Sequence, residues 1–593
     1  MKRLLTASAA LVALLLGVGG VWKAGTAQER VSLAEMAKDP NQWVMPSLDY
    51  SSTRNSSLKE ITTDNAKNLS VAWTMSTGAT RGHEGQPLVV GDTMYYESAY
   101  PNHVFAVDLD DYHTKWEYTP KQDPFAVSVA CCDLVNRGVA YGDGKIIADA
   151  LDGQVIALNA QTGKVVWNSK NSDAEMGQTL TSAPLVVKDK VIVGVSGGEY
   201  GVRGYLTAYS LATGKKSWRA YSEGPDSDLL IGSDFTGPKN AGRSTWRGDQ
   251  WKVGGGTTWG WYSYDPKLNL VYYGTGNPGT WNPSQRPGDN KWSMTIFARN
   301  PDTGMAKWGF QMTPHDAWDY DGVNEMILAD IKVNNEEVPA LVHFDRNGFG
   351  YELDRRTGKL LLAKKFDPDV NWATDINVTT GRPNVVAAKT PKAGQNVQGI
   401  CPAAMGSKDQ QPASFDPQTG YFIVPTNHNC MDYKAFAVKY KSGFPYVGAI
   451  VKMFPGPGGN RGAVIAWDPN DGKIVWTDTE RFPAWSGVLT TAGGVAFYGT
   501  MDGWFKAIDT KSGNLLWKFH TSSGIIGNPI TYTHKGHQYV AILSGVGGWA
   551  ALGLAAGLTN PTAGLGAVNA ALDLGSYTQL GGDLMVFALP QNT

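Results

Sequence analysis

The segment Thr313-Pro314-His315-Asp316-Ala317-Trp318-Asp319-Tyr320-Asp321-Gly322-Val323-Asn324-Glu325 sets four carboxylates and one histidine within thirteen residues. Asp319 and Asp321 stand two apart. In an extended segment alternate side chains share a face, so both carboxylates would point the same way. Carboxylates held together repel unless something positive sits between them, and a hard cation bound by oxygen is the usual answer. An acidic surface loop fits the same spacing, because charge without a pocket does not make a site.

Cysteine is the other residue type with chemistry to offer. Cys131 and Cys132 are adjacent, and Cys401 and Cys430 lie far downstream. An even number in an exported chain fits the pairing Cys131–Cys132 and Cys401–Cys430. A bond between neighbours closes a very small ring and gains little from loop entropy, so strain there would serve a site. Free buried thiols fit the spacing as well. No Cys-x-x-Cys-His is present, which excludes c-type haem attachment, and no phosphate loop or His-Glu-x-x-His zinc helix is present. Gly545-Val546-Gly547-Gly548 lacks the third spaced glycine and the following helix of a dinucleotide fingerprint.

The chain has 593 residues, a formal net charge of −2 and 18% charged residues, with no basic patch for nucleic acid and no charged tail. Lys2 and Arg3, the apolar run Leu4 to Val21 and the small residues Ala24-Gly25-Thr26-Ala27 read as an export leader, residues 1–27, cleaved after Ala27. Residues 28–593 would then form one domain in an oxidising compartment, the periplasm. No other stretch is long and apolar enough to span a bilayer.

What must position these residues is a repeat. An apolar-x-Ala-x-Asp/Asn run, a turn with Thr-Gly or its like, and a Trp recur at Ala157–Trp167, Ala208–Trp218, Ala298–Trp308, Ala466–Trp476 and Ala507–Trp517. Ala106–Trp116 lacks the glycine, and Leu353–Leu362 lacks the Trp. Each copy predicts strand, tight turn, strand. Trp116, Trp167 and Trp218 are 51 residues apart, the length of four short strands with connections. Ser-Val-Ala-Trp at Trp73 looks like a first copy without its leading strand, and Met585–Leu589 looks like that strand. The expectation is an all-β, eight-bladed propeller, closed by its terminal strands, with tryptophans docking blade on blade and excursions after Trp218 and between Leu362 and Trp476.

On Gly82-His83-Glu84-Gly85-Gln86-Pro87, Ala130-Cys131-Cys132-Asp133, Asn136-Arg137-Gly138, Gly197 to Gly204, Trp259-Gly260-Trp261, Gly274-Thr275-Gly276-Asn277-Pro278, the acidic segment and Asp345-Arg346-Asn347-Gly348, nearly the whole mature chain resembles the quinoprotein alcohol dehydrogenases. Within them it is most similar to the lanthanide-dependent methanol dehydrogenases. The resemblance implies pyrroloquinoline quinone (PQQ) stacked on Trp259 and covered by a Cys131–Cys132 disulfide. In-plane contacts carry over to Glu84, Arg137, Thr181, Ser196, Gly197, Gly198, Thr257, Arg346, Asp409 and Trp485. A metal site carries over to Glu199, Asn277, Asp319 and Asp321. Asp321 stands where calcium-dependent relatives generally lack a carboxylate, which implies one lanthanide ion, with calcium as the alternative.

The implied reaction is oxidation of a primary alcohol, methanol first, with Asp319 as base, hydride passing to the metal-activated quinone, and Arg346 stabilising the charge that develops. Without haem in this chain, a separate c-type cytochrome takes the electrons. A homodimer is implied by the family alone. Two other readings remain at this level: a calcium-type quinoprotein of broader substrate range, and a non-catalytic propeller scaffold. The scaffold would not need Glu199, Asn277, Asp319 and Arg346 together.

Overall fold

The structure, a computed structural model, describes residues 32–333 and 335–590; the leader reading of residues 1–27 lies outside them. Strands dominate, and they are short because turns with positive φ interrupt them every few residues. One sheet shows how the sequence dictates its layers. Ala140–Gly142, Lys145–Asp149, Gln154–Asn159 and Val165–Lys170 pair in that order, all antiparallel. The middle strands are apolar on both faces, with Val155, Ile156, Ala157 and Leu158 fully buried. The last strand alternates, burying Trp167 between exposed neighbours. Such a sheet is covered on both sides by other sheets and meets solvent along its last strand. Among the described residues, eight sheets hold four or five strands each.

The repeat tryptophans join one sheet to the next. The indole N–H of Trp116 donates to Ala160 O at 2.9 Å, that of Trp167 to Leu211 O at 3.0 Å, that of Trp218 to Pro301 O at 2.8 Å, and that of Trp476 to Thr510 O at 3.1 Å. The Thr-Gly turn explains why its glycine recurs. Gly163, Gly214, Gly304, Gly358 and Gly513 all have positive φ, and a Cβ on each would lie 2.6–2.7 Å from the preceding repeat's indole. Turn geometry and close approach of the ring both demand hydrogen at that position. In the copy without glycine, Tyr112 takes the position at φ 64° and stacks on Trp73 at 4.9 Å instead.

Ser70–Ser76 lies antiparallel to Asp583–Ala588, with Trp73 opposite Val586. Trp517 donates to Leu69 O at 3.0 Å, linking the last repeat to that first strand. After Trp218 the chain adds Ile231–Thr236, parallel to Ala306–Gln311. Between Leu362 and Trp476 it builds a two-stranded sheet and a three-stranded sheet, and the Cys401–Cys430 disulfide joins the end of Asn396–Ile400 to Asn429–Ala435. Among the described residues no helix is long and apolar enough to cross a membrane.

Candidate active site

The acidic segment corrects one expectation. Residues 313–324 form neither strand nor helix, and Asp319 has φ 69°, so the two carboxylates do not converge by strand alternation. The cause is Asp316, whose carboxylate accepts the backbone N–H groups of Trp318, Asp319 and Tyr320 and folds the chain back. Arg286 in turn donates to Asp316 O at 2.6 Å. Nor is this a surface loop: Asp316, Asp319, Asp321 and Glu325 are all buried. His315 turns away and meets Gly288 O at 2.8 Å.

Asp319 and Asp321 emerge into a cavity with about 700 Å³ of empty space, its mouth included. The sequence-derived residues Glu84, Cys131, Cys132, Arg137, Thr181, Ser196, Gly197, Glu199, Trp259, Arg346, Asp409 and Trp485 line it as well. Gly198, Thr257 and Asn277 adjoin it. A Cβ on Gly198 would lie 3.1 Å from Asn277 Oδ1 and 3.5 Å from Thr257 Oγ1. The Asn277 N–H donates to Asp321 Oδ1 at 2.6 Å.

Sequence reasoning missed an apolar wall made by Val129, Trp281, Trp549 and Leu565. Trp281 and Trp549 meet edge to face at 6.4 Å, and the Arg346 guanidinium sits over the Trp549 ring at 5.1 Å. A usable signal was the glycine run Gly545–Gly548, informative for closeness of approach rather than as a cofactor fingerprint. A Cβ on Gly547 would lie 2.6 Å from Asp133 Oδ2, and one on Gly548 2.5 Å from Glu84 Oε1. Small residues let this backbone pass the carboxylates and deliver Trp549.

One part of the cavity carries a polar network centred on Arg137. Arg137 pairs with Glu84 at 2.7 Å, donates to Thr181 Oγ1 at 3.0 Å, and lies over the Trp259 ring at 4.8 Å. Thr181 and Ser196 share a hydrogen bond at 2.9 Å, and Trp485 Nε1 donates to Glu84 Oε1 at 3.1 Å. Burial pushes the Glu84 carboxyl up to about 7, with Arg137 opposing. The Cys131–Cys132 disulfide is formed, and Cys131 Sγ lies 3.5 Å from Glu199 Oε2.

Another part is short of positive charge. Arg346 pairs with Asp321, reaches Asp409 Oδ2 at 3.2 Å, and lies 3.8 Å from Asp319 Oδ2. Burial raises Asp321 to about 7, and raises Asp319 and Glu199 as well; Arg346 opposes the shift in each. Asp319 Oδ1 has no hydrogen-bond partner. An oxygen-only set of buried acids with an orphan oxygen fits a hard cation. Among the described residues, the trio with ligand atoms within 4.8 Å of one another is instead Asp367, Asp369 and His428. Glu199, Asp319 and Asp321 are held further apart, with Asp321 turned to Arg346.

The chain matches the family model described as glucose/ethanol/alcohol dehydrogenase, β-propeller domain, with PQQ in its name, over residues 43–365 and 478–540. It is 57% identical to a lanthanide-dependent methanol dehydrogenase of Methylorubrum extorquens, covering 98% of this chain and 99% of that one. It is 50% identical to subunit 1 of a methanol dehydrogenase [cytochrome c] of the same organism, covering 99% and 97%. A solved europium-containing methanol dehydrogenase superposes with a TM-score of 0.92 at 57% identity, covering 93% and 99%. With that match across both the repeats and the cavity, the chain belongs to the PQQ β-propeller family of glucose, ethanol and alcohol dehydrogenases.

Proposed function

We propose that this protein is a PQQ- and lanthanide-dependent dehydrogenase of methanol and other small primary alcohols, exported to the periplasm and passing electrons to a c-type cytochrome. The observation that carries the reading is that Glu199, Asp319 and Asp321 line one cavity together with Arg346, Trp259 and the Cys131–Cys132 disulfide, with Asp319 and Asp321 both drawn to that arginine. Residues 28–593 are read as one domain whose eight sheets are the blades of a ring closed by the Ser70–Ser76 and Asp583–Ala588 pair.

Trp259 offers the flat surface for stacking and the vicinal disulfide a cover. Glu84, Arg137, Thr181, Ser196, Gly197, Gly198, Thr257, Arg346, Asp409 and Trp485 supply donors and acceptors around the ring's edge. Glu199, Asn277, Asp319 and Asp321 supply oxygens to the cation. When bound, the quinone supplies a two-electron acceptor and the ion a Lewis acid. Asp319, with its free Oδ1, accepts the alcohol's hydroxyl proton. Arg346 places fixed N–H donors where negative charge develops. Trp281, Trp549 and Leu565 keep water from the reacting carbon and restrict the space to a small alcohol.

Asp321 decides the ion. Removing it deletes one negative charge, and the loss of attraction scales with the charge of the ion, so a trivalent ion loses more than a divalent one. Asp321→Ala therefore abolishes lanthanide-supported turnover and leaves weak calcium binding. Reconstitution of native and variant protein with quinone plus calcium or a light lanthanide, followed by activity and bound-metal measurements, tests this. Tight lanthanide binding and turnover in the variant, or better native activity with calcium, overturns the lanthanide assignment.

A further inference from the structure

Glu325 and Lys408 form an ion pair at 2.6 Å, both side chains fully buried, and neither lines the cavity. A buried ion pair is weak evidence for stability, because desolvation of both charges offsets their attraction. Its connections suit another purpose. The second Glu325 oxygen accepts the Ala413 backbone N–H at 2.8 Å. One carboxylate therefore grips both ends of the loop from Lys408 to Ala413. Lys408 Nζ also donates to Asp409 O at 3.3 Å, and the Gln410 N–H donates to Asp409 Oδ1 at 2.7 Å. That leaves Asp409 Oδ2 facing Arg346 at 3.2 Å. The loop runs against Arg346 itself: the Ser407 N–H donates to Arg346 O at 3.0 Å, and a Cβ on Gly406 would lie 2.6 Å from Arg346 Cβ.

Glu325 is four residues beyond Asp321. The same side chain thus ties the segment that carries Asp319 and Asp321 to the loop that carries Asp409. These three carboxylates compete for one guanidinium. Arg346 meets Asp321 through Nη1 and Asp409 through Nη2, so Asp409 keeps the guanidinium paired when Asp321 turns from it to serve a cation.

We propose that Glu325 and Lys408 are positioning residues for the candidate site: they clamp Asp409 against Arg346, so that Arg346 yields Asp321 to the cation. This rests on the cation reading above. The charges of the pair cancel, so replacing both together removes the clamp without changing the net charge near the site.

The test uses the holoprotein purified with europium(III) and compares native protein with Glu325→Leu/Lys408→Met. The chelator concentration at which europium luminescence is lost falls about 10- to 100-fold in the double variant, the usual cost of removing a partner that orients a ligand. The luminescence lifetime shortens as water replaces Asp321 on the ion, which a role confined to folding would not produce. The unfolding temperature of the europium-stripped variant stays close to that of stripped native protein. If the double variant does not accumulate folded, Glu325→Gln decides; it keeps the size and weakens the hold on the loop. Native chelator resistance and native lifetime in either folded variant overturn the proposal. Native protein that carries neither quinone absorbance nor europium overturns both this proposal and the reading on which it rests.

Discussion

The Trp308 junction and the acidic segment after it lie a few residues apart in sequence and are built on opposite terms. Trp308 is buried, donates to Arg355 O at 3.2 Å, and rests on Gly358, whose hydrogen leaves room for the ring. Its hydrogen-bond partner and the glycine beneath its ring both come from the next repeat. Asp319 and Asp321 are as deeply buried, yet share one arginine with Asp409 and leave an oxygen unpartnered. The junction holds the fold together from the chain's own atoms. The acidic segment is folded by Asp316's hold on three backbone N–H groups and carries a negative charge that the chain does not itself balance. Sites are where a protein keeps such local conflict, supported by the scaffold around it.

On that contrast, the two regions separate stability from turnover. The largest effect belongs to Asp319→Asn. Asparagine keeps an oxygen for the ion but cannot take the substrate proton, so turnover falls by about 10²–10⁴-fold, while quinone content and unfolding temperature hold. Steady-state kinetics on protein of verified quinone and metal content checks it. Near-native turnover would make Asp319 a ligand only.

Trp308→Ala probes the other side. Deleting a buried indole destabilises by about 3–5 kcal/mol through lost burial and the cavity left behind. Denaturant titration reads the loss directly. Per active centre, turnover in the surviving folded protein should match native; a fall comparable to that of Asp319→Asn would mean that the junction and the site are not separable.

The smallest effect is a pH dependence that sharpens the comparison. Burial lifts Glu84 and Asp321 to about 7, and lifts Asp319 and Glu199 in the same direction. A carboxylate raised on folding means that the native state binds more protons than the unfolded chain between its ordinary value and its raised one. Stability therefore falls as pH rises through that window, roughly pH 4 to 7, and stays low above it. Metal-stripped protein should lose on the order of 2–5 °C of unfolding temperature between pH 5 and 8. The loaded protein should not follow, since the ion replaces the protons. A flat profile for the stripped protein would show that Arg346 alone balances the cluster.

The repeat was legible from residue order because its determinants are local. A strand, a Thr-Gly turn and a Trp lie within eleven residues, and the same short solution is reused along the chain. Even the pairing of Trp73's strand with Met585's was readable, since each end lacked what the other had. The residues carried over from the family motifs all line or adjoin one cavity. The route by which Asp319 and Asp321 meet was not legible, because Asp316's capping of three N–H groups replaced strand alternation. Nor was the wall of Trp281, Trp549 and Leu565, whose members approach only when the sheets assemble.

By itself the sequence determined the strands, the docking tryptophans and the inventory of carboxylates, because turn geometry and burial act between near neighbours. The tertiary structure alone decided how charge is shared: Arg346 among Asp319, Asp321 and Asp409, and Lys408 with Glu325 across 83 residues. Electrostatic balance in a buried site depends on distances of a few ångströms between remote segments, and those distances exist only after the chain has closed around them.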